Sequence, residues 1–258
     1  MQKNAPVGIF DSGVGGISVL GTAHRLLPEE DFIYYGDTAH APYGTKTEQE
    51  VVVYARAAAN FLLAQGVKAL LIACNTATCA AAATLRSEHP DLIIIGMEPA
   101  LKLAHDRCPQ GQILVLATPV SLASRKYQML YEAYGEHAVS LPCPGLMDFA
   151  ERGEVDSPAL HDYLDRLLSP YLTGGQEPAA VVLGCTHYPF LRRAIKRALP
   201  ASTLVLDGNE GTVRQLRRRL KEADLLRNDS AHAGEIRFFS SAGDAALPLM
   251  KHLLALSD

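Results

Sequence analysis

The sequence predicts an α/β fold with doubly wound, parallel sheets. Short runs of valine, isoleucine and leucine recur along the chain, and stretches with helical periodicity separate most of them. Several runs are apolar without alternation, which is typical of strands that helices cover on both faces. Strands that alternate with helices in this way assemble into parallel sheets.

Eight segments have the length and composition of buried strands, and five have a helical pattern. The predicted strands are residues 7–10, 31–35, 69–73, 92–95, 113–117, 180–183, 203–206 and 236–239. The predicted helices are 17–27, a helix that starts at a Thr47 capping box and runs through residue 63, 122–134 capped by Ser121, 158–172 and 211–226.

Two glycine-containing breaks predict two domains. Residues 96–99 follow one strand and contain a glycine and a proline, and residues 207–209 follow another. The segment between them has its own strands and helices. We therefore expect one domain from 1–98 plus 209–258, with a second domain, 99–208, inserted into it.

Composition excludes several classes of protein. The net charge of -4 argues against a nucleic-acid-binding protein, and no apolar run is long enough to span a membrane. The short polar N-terminus does not resemble a signal peptide, so we expect a cytoplasmic location. The five cysteines are irregularly spaced and match neither a disulfide framework nor a metal site. No metal site is therefore predicted.

Two cysteines occur in matching contexts. Cys74 and Cys185 each follow a buried apolar run and precede a polar pair, Asn75–Thr76 in one case and Thr186–His187 in the other. Ligands of open α/β sheets bind beyond the carboxyl ends of strands, and a helix that starts there stabilises anions. A single such cysteine is more often a core residue, but two favour a catalytic pair. Cys79, Cys108 and Cys143 lack this context and are interpreted as structural.

Two loops are further candidates for function. Residues 10–16 form a glycine-rich strand-to-helix turn that carries Asp11 and Ser12, which either reach a ligand or cap the following helix. Residues 36–44 form a polar loop after a strand, in which His40 is interpreted as an ordinary surface histidine. Arg217, Arg218 and Arg219 belong to a charged helix, whose face is expected to be solvated.

Four blocks resemble the glutamate racemase family. They are residues 8–16, residues 35–44, Ala73–Cys74–Asn75–Thr76 and residues 184–189. The resemblance implies two α/β domains that face each other across a central cleft. It also implies interconversion of L- and D-glutamate without a cofactor or metal, which supplies D-glutamate for peptidoglycan and cell shape. His187 follows Cys185–Thr186 where related aspartate racemases have glutamate, so glutamate is the expected substrate.

Roles are implied residue by residue. The resemblance implies Cys74 and Cys185 as the paired acid and base, assisted by Asp11, Asp37, Glu151 and His187. The implied substrate contacts are Asp11, Ser12, Tyr43, Gly44, Asn75, Thr76, Thr118, Thr186 and His187. The resemblance leaves open a homodimer and regulation by a cell-wall precursor.

Two other functions compete with a racemase. Cys185, His187 and an acid would suit a cysteine hydrolase, although that function leaves Cys74 unexplained. A non-catalytic protein that binds a small acidic ligand would need neither cysteine. Single Cys→Ser substitutions separate the three, because only a racemase loses turnover with either one.

Overall fold

A computed structural model describes residues 2–97, 99–172 and 177–256. The described residues form nine strands and eleven α-helices. The strands are β1 (Val7–Asp11), β2 (Phe32–Gly36), β3 (Ala69–Ile72), β4 (Ile93–Gly96), β5 (Ile113–Ala117), β6 (Ala138–Pro142), β7 (Ala180–Leu183), β8 (Leu204–Asp207) and β9 (Ile236–Ser240). The α-helices are α1 (Ile17–Leu26), α2 (Glu48–Ala64), α3 (Asn75–Glu88), α4 (Leu101–Arg107), α5 (Pro119–Ala123), α6 (Arg125–Tyr134), α7 (Leu146–Glu151), α8 (Pro158–Leu168), α9 (Arg192–Arg197), α10 (Asn209–Glu222) and α11 (Leu247–Ala255).

The chain divides into two compact units, Met1–Glu98 with Asn209–Asp258 and Pro99–Gly208. Glu98, part of the first predicted hinge, lies outside the described residues. The first unit contains a five-stranded sheet in the order β4-β3-β1-β2-β9, with every described pair parallel. Helices α2 and α3 pack together, while α1 packs with α10 and α11. The predicted parallel, doubly wound arrangement is confirmed for this unit.

The second unit contains a four-stranded parallel sheet in the order β6-β5-β7-β8. One core cluster joins residues of α7, α8 and α9 to alternate residues of β5 and β7. Another joins residues of α4 and α6 to Ile113, Val115, Ala180 and Val182, on the opposite faces of these strands. Because both faces of β5 and β7 are covered, their sequences are continuously apolar. This explains why both strands could be identified from hydrophobicity alone.

All eight predicted strands are present, with ends that differ by one residue at most. The capping box is also confirmed, because the Thr47 N–H donates to Glu50 Oε2 (2.8 Å) and the Glu50 N–H donates to Thr47 Oγ1 (3.3 Å). The α2 helix therefore starts where the local sequence satisfies its first N–H groups.

Three predicted helices differ from the structure, and one strand was not predicted. The helix predicted over 158–172 ends at Leu168 and is followed by the 3₁₀ helix Ser169–Tyr171. The predicted helix 122–134 is two helices, because Thr118 caps α5 and Ser124 caps α6, so Ser121 caps neither. Strand β6 was missed because it lies at a sheet edge and is only partly buried. The helix predicted over 211–226 is α10, which ends earlier, and Asp224 beyond it has φ of 54°.

No helix among the described residues is long and apolar enough to cross a membrane.

The side chains of Arg218 and Arg219 are exposed and each forms an ion pair with Glu222. Arg217 is exposed as well, so the expectation of a solvated helical face is confirmed.

Candidate active site

The first unit places the Cys74 thiol at the N-terminus of a helix. Cys74 follows β3 and is the N-cap residue of α3, and its sulfur accepts a hydrogen bond from the Ala77 N–H at 3.4 Å. The residue is 6% exposed. An N-cap sulfur receives both an N–H group and the positive end of the helix dipole, an environment that favours a thiolate.

Asp11 and Ser12 lie beside this thiol. Cys74 Sγ is 3.6 Å from Ser12 Oγ, and the Ser12 hydroxyl lies 3.3 Å from Asp11 Oδ1, to which it donates. Asp11 Oδ1 also accepts from the Gly13 N–H at 2.7 Å. The suggestion that Asp11 or Ser12 caps the next helix is wrong, because the N-cap of α1 is Gly16 and has no side-chain cap.

The loop after β2 brings Asp37 and Tyr43 together. The Tyr43 hydroxyl donates to Asp37 Oδ2 at 2.6 Å, and the other oxygen, Oδ1, lies 2.8 Å from His40 Nδ1. Tyr43 is buried and belongs to the same apolar cluster as Cys74. Burial, followed by the hydrogen bond and the charge of Asp37, raises the pKa of Tyr43 far above its usual range. Tyr43 therefore keeps its proton and acts as a donor.

Asn75 and Thr76 occupy the first two positions of α3, and both are buried. Asn75 Oδ1 is a buried acceptor that makes no hydrogen bond with any residue the structure describes. Buried polar atoms usually have a partner, so this oxygen is a good candidate to receive a ligand N–H. Gly44 lies in the short 3₁₀ helix Tyr43–Thr45 and is half-buried.

The second unit places the Cys185 thiol in a three-residue chain. Cys185 follows β7 and is 8% exposed, and its Sγ lies 3.5 Å from His187 Nδ1. The opposite ring nitrogen, Nε2, lies 2.6 Å from Glu151 Oε1 at the end of α7. The family resemblance implies Glu151 as an assisting group, and the structure places its carboxylate at His187.

The charges around His187 determine its protonation. Burial alone would lower the pKa of His187, but the hydrogen bonds and charges of Cys185 and Glu151 outweigh it and raise the pKa well above its usual value. His187 is therefore held as an imidazolium. The protonated ring can donate from Nδ1 to the Cys185 sulfur, as the Ala77 N–H donates to the Cys74 sulfur.

The local structure around Cys185 differs from the expectation in one respect. Cys74 directly precedes an α-helix, whereas Cys185 is followed by a turn and the 3₁₀ helix Tyr188–Leu191 before α9 begins. The turn allows His187 to fold back toward the sulfur two residues before it. Thr186 is buried.

Thr118 lies at the carboxyl end of β5. It caps α5 by accepting from the Ser121 N–H at 3.2 Å, and its hydroxyl donates to Ser121 Oγ at 2.9 Å. Residues 118 and 185–187 thus follow neighbouring strands of one sheet. Ser121 was expected to be only a helix cap, and its contact with Thr118 was not anticipated.

The other cysteines have different surroundings. Burial raises the pKa of Cys143 to about 12, which keeps that thiol protonated. Cys79 lies within α3 and Cys108 follows α4. All five are free. In the described part of the chain, no group of three or more His, Cys, Asp and Glu side chains is arranged to hold a metal ion.

His40 is the residue at this site that sequence reasoning misjudged. It was interpreted as an ordinary surface histidine, yet its ring contacts the buried Asp37 carboxylate. The spacing of Asp37 and His40 is the signal that could have revealed this, because residues three apart eclipse one another in 3₁₀ geometry and Asp37 is the N-cap of the 3₁₀ helix Thr38–His40.

Comparisons with known proteins identify the family of this chain. The family model described as Asp/Glu/Hydantoin racemase matches residues 18–216. A glutamate racemase of Clostridium perfringens is 44% identical over 257 residues, which is 98% of each chain. The structure of a glutamate racemase from Thermus thermophilus in complex with β-chloro-D-alanine is 35% identical, with a TM-score of 0.82 over 98% of this chain and 94% of that one.

A third relative carries two ligands. The structure of Escherichia coli glutamate racemase in complex with L-glutamate and the activator UDP-MurNAc-Ala is 28% identical, with a TM-score of 0.85 over 98% of this chain and 95% of that one. The chain therefore belongs to the Asp/Glu/hydantoin racemase family, and it is an isomerase. Neither the hydrolase nor the non-catalytic binding protein remains an alternative.

Proposed function

We propose that this enzyme interconverts L- and D-glutamate by a two-base mechanism without a cofactor. The observation that carries the proposal is the pair of buried thiols, Cys74 and Cys185, each at the carboxyl end of a parallel strand. Each thiol contacts a polar side chain that in turn contacts a carboxylate, Asp11 for Cys74 and Glu151 for Cys185. The two residues belong to different units, and in the proposed mechanism both act on the same substrate.

In each direction one thiolate removes the α-proton from one face of the substrate. The electron pair of the C–H bond remains on the α-carbon, and the opposite thiol returns a proton to the other face. Two bases are needed because a single group cannot reach both faces of a bound substrate. After each turnover the protonation states of Cys74 and Cys185 have exchanged.

The main obstacle is the weak acidity of the α-carbon. If its pKa lies about twelve units above that of a thiol, the mismatch is roughly 16 kcal/mol. Fixed donors around the substrate carboxylate lower this barrier because they stabilise the charge that develops in the transition state. The first turn of α3 supplies N–H groups, and Asn75 Oδ1 supplies an unpartnered acceptor for the substrate ammonium.

Each thiol has its own assisting groups. Ser12 and Asp11 lie beside Cys74, and Asp37 is linked to the same cluster through Tyr43. His187 and Glu151 assist Cys185. The remaining proposed substrate contacts are Gly44, Thr76, Thr118 and Thr186.

The wider role follows from the reaction. We propose that the product D-glutamate serves peptidoglycan synthesis and that the enzyme acts in the cytoplasm. We also propose that a cell-wall precursor regulates the enzyme, because the Escherichia coli relative was solved in complex with the activator UDP-MurNAc-Ala. Racemisation measured with and without UDP-MurNAc-Ala tests this point, and sedimentation tests whether the enzyme is a homodimer.

The decisive experiment incubates purified protein with L-glutamate or with L-aspartate at equal concentration. We expect the circular dichroism signal of L-glutamate to decay to zero and chiral chromatography to show equal amounts of both enantiomers. Absence of D-glutamate, or faster racemisation of L-aspartate, would overturn the proposal. The variant Cys74→Ser serves as the inactive control.

A further inference from the structure

We propose that His40 is a positioning residue for the Cys74 side of the site, acting through the Asp37 carboxylate. The inference rests on the proposed racemase function. The Asp37 side chain is only 4% exposed, and its two oxygens have separate partners, His40 at 2.8 Å and Tyr43 at 2.6 Å. The carboxylate is therefore held at both ends.

The His40 ring is itself fixed. It stacks on Tyr54 of α2, with ring centroids 4.1 Å apart and an angle of 17° between the planes. Tyr43 also contacts Tyr54, at 5.8 Å between centroids. Tyr54 thus supports both partners of Asp37, although the His40 side chain is 43% exposed. A solvated surface histidine would have neither a stacking partner nor a buried acceptor.

The backbone around His40 is held by the C-terminal part of the chain. The Ala39 N–H donates to Ser241 Oγ at 2.9 Å, and the hydroxyls of Thr38 and Ser240 lie 2.7 Å apart. These contacts join the 3₁₀ helix Thr38–His40 to the end of β9. Contacts with distant parts of the chain therefore hold both the ring of His40 and the backbone around it.

The link from His40 to the reaction runs through Tyr43, which hydrogen-bonds to Asp37 and packs in the same buried cluster as Cys74. Tyr43 keeps its proton because burial and the nearby charges of Asp37, Cys74 and Asp11 all raise its pKa, so its hydroxyl always donates to Asp37. Burial raises the pKa of Tyr35, and the charge of Asp37 raises it further. Without the His40 N–H, Asp37 Oδ1 would be a buried acceptor without its partner, and the carboxylate could rotate away from Tyr43.

A half-reaction isolates one thiol. Racemisation itself is unsuitable, because an equilibrium constant of one forces kcat/KM to be equal in both directions. With a β-chlorinated glutamate, a thiolate takes the α-proton, the C–H electrons form the Cα–Cβ double bond and chloride leaves with the C–Cl electrons. The enamine tautomerises to an imine, which water converts to 2-oxoglutarate and ammonium. Each enantiomer therefore reports on one base.

The test compares His40→Leu with His40→Asn, whose amide N–H lies near the position of Nδ1. We expect His40→Leu to slow elimination about tenfold, as loss of a hydrogen bond to a charged group does, for the enantiomer whose elimination is abolished by Cys74→Ser. The other enantiomer should react within about twofold of wild type, a change of less than about 0.5 kcal/mol. His40→Asn should restore most of the lost rate.

The matched control is His105→Leu, since His105 also lies beside a tyrosine, Tyr134, at 5.7 Å between centroids but belongs to the second unit. It should leave both eliminations unchanged. Equal slowing of both enantiomers by His40→Leu, or no slowing, would overturn the inference. If His40→Leu does not fold, His40→Ala takes its place. If the wild-type protein does not racemise glutamate, the proposed function fails instead, whatever the His40 variants do.

Discussion

Glu151 Oε1 and His187 Nε2 lie 2.6 Å apart, although 36 residues separate them in the chain. The other nitrogen of the same ring faces the sulfur of Cys185 at 3.5 Å. Glu151 thus fixes both the orientation and the charge of the ring. A carboxylate that holds a histidine in this way makes the histidine a proton donor to the sulfur rather than a base.

The first prediction concerns the two thiols. Cys74→Ser and Cys185→Ser should each abolish racemisation of glutamate, because each removes one of two required bases. Each variant should retain elimination of HCl from one enantiomer of a β-chlorinated glutamate, and Cys74→Ser should spare the L form. Chiral chromatography and 2-oxoglutarate release measure the two reactions. Near wild-type racemisation by either variant would contradict the two-base mechanism.

The second prediction concerns pH. The pKa of His187 is raised in the folded protein, so this residue stabilises the fold fully below the unfolded histidine pKa of about 6.5. That contribution is lost as pH rises through the raised value. Glu151→Gln removes one of the groups that raise the pKa, so its stability deficit relative to wild type should be largest near pH 6 and shrink at higher pH. Urea unfolding across this range measures the difference, and a deficit that grows with pH would show the sign to be wrong.

The third prediction concerns Asn75. Its buried Oδ1 has no hydrogen-bond partner among the described residues, so Asn75→Ala should leave the urea midpoint nearly unchanged. The KM for glutamate should rise about tenfold, because a hydrogen bond to a charged ammonium is lost.

A matched control for Asn75 is Thr78→Val in the same helix. Thr78 Oγ1 accepts from the Met97 N–H at 3.0 Å and donates to the Ile72 carbonyl at 3.3 Å. This variant should lose about 1–3 kcal/mol of stability. The assignment of Asn75 to the substrate fails if its substitution lowers stability as much as Thr78→Val does and leaves KM unchanged.

The fourth prediction concerns a buried ion pair. Lys68 Nζ and a Glu30 oxygen lie 2.5 Å apart, and both side chains are almost fully buried. Lys68→Met should cost about 3–5 kcal/mol of unfolding free energy, because it leaves a buried carboxylate without its partner. Adding Glu30→Gln should recover part of this loss, since glutamine keeps an acceptor for the Arg227 N–H at the position of Oε1. If the stability losses of Lys68→Met and Glu30→Gln simply add in the double variant, the two side chains do not stabilise the fold as an ion pair.

The fifth prediction concerns cofactors. Dialysis against EDTA and treatment with hydroxylamine should each leave the rate of glutamate racemisation unchanged, because the proposed chemistry uses only protein groups. A loss of activity that a metal ion or pyridoxal phosphate restores would refute it.

The sequence by itself determined the parallel α/β class, the positions of eight strands and the two cysteines that follow β3 and β7. These features are local, because a strand that is buried on both faces must be apolar throughout, and the polar residues that end it stand out. The capping box at Thr47 could be identified for the same reason, since its two hydrogen bonds join residues three apart.

Only the tertiary structure decided which side chains meet around each thiol. Glu151 reaches His187 because α7 packs against the 3₁₀ helix after Cys185, while Tyr54 supports the His40 ring and Ser241, after β9, holds the backbone beside it. The edge strand β6 and the break at Ser124 also depend on packing and on competing caps. Contacts of this kind join residues far apart in the chain, and their geometry depends on how whole elements pack, which no local pattern of hydrophobicity encodes.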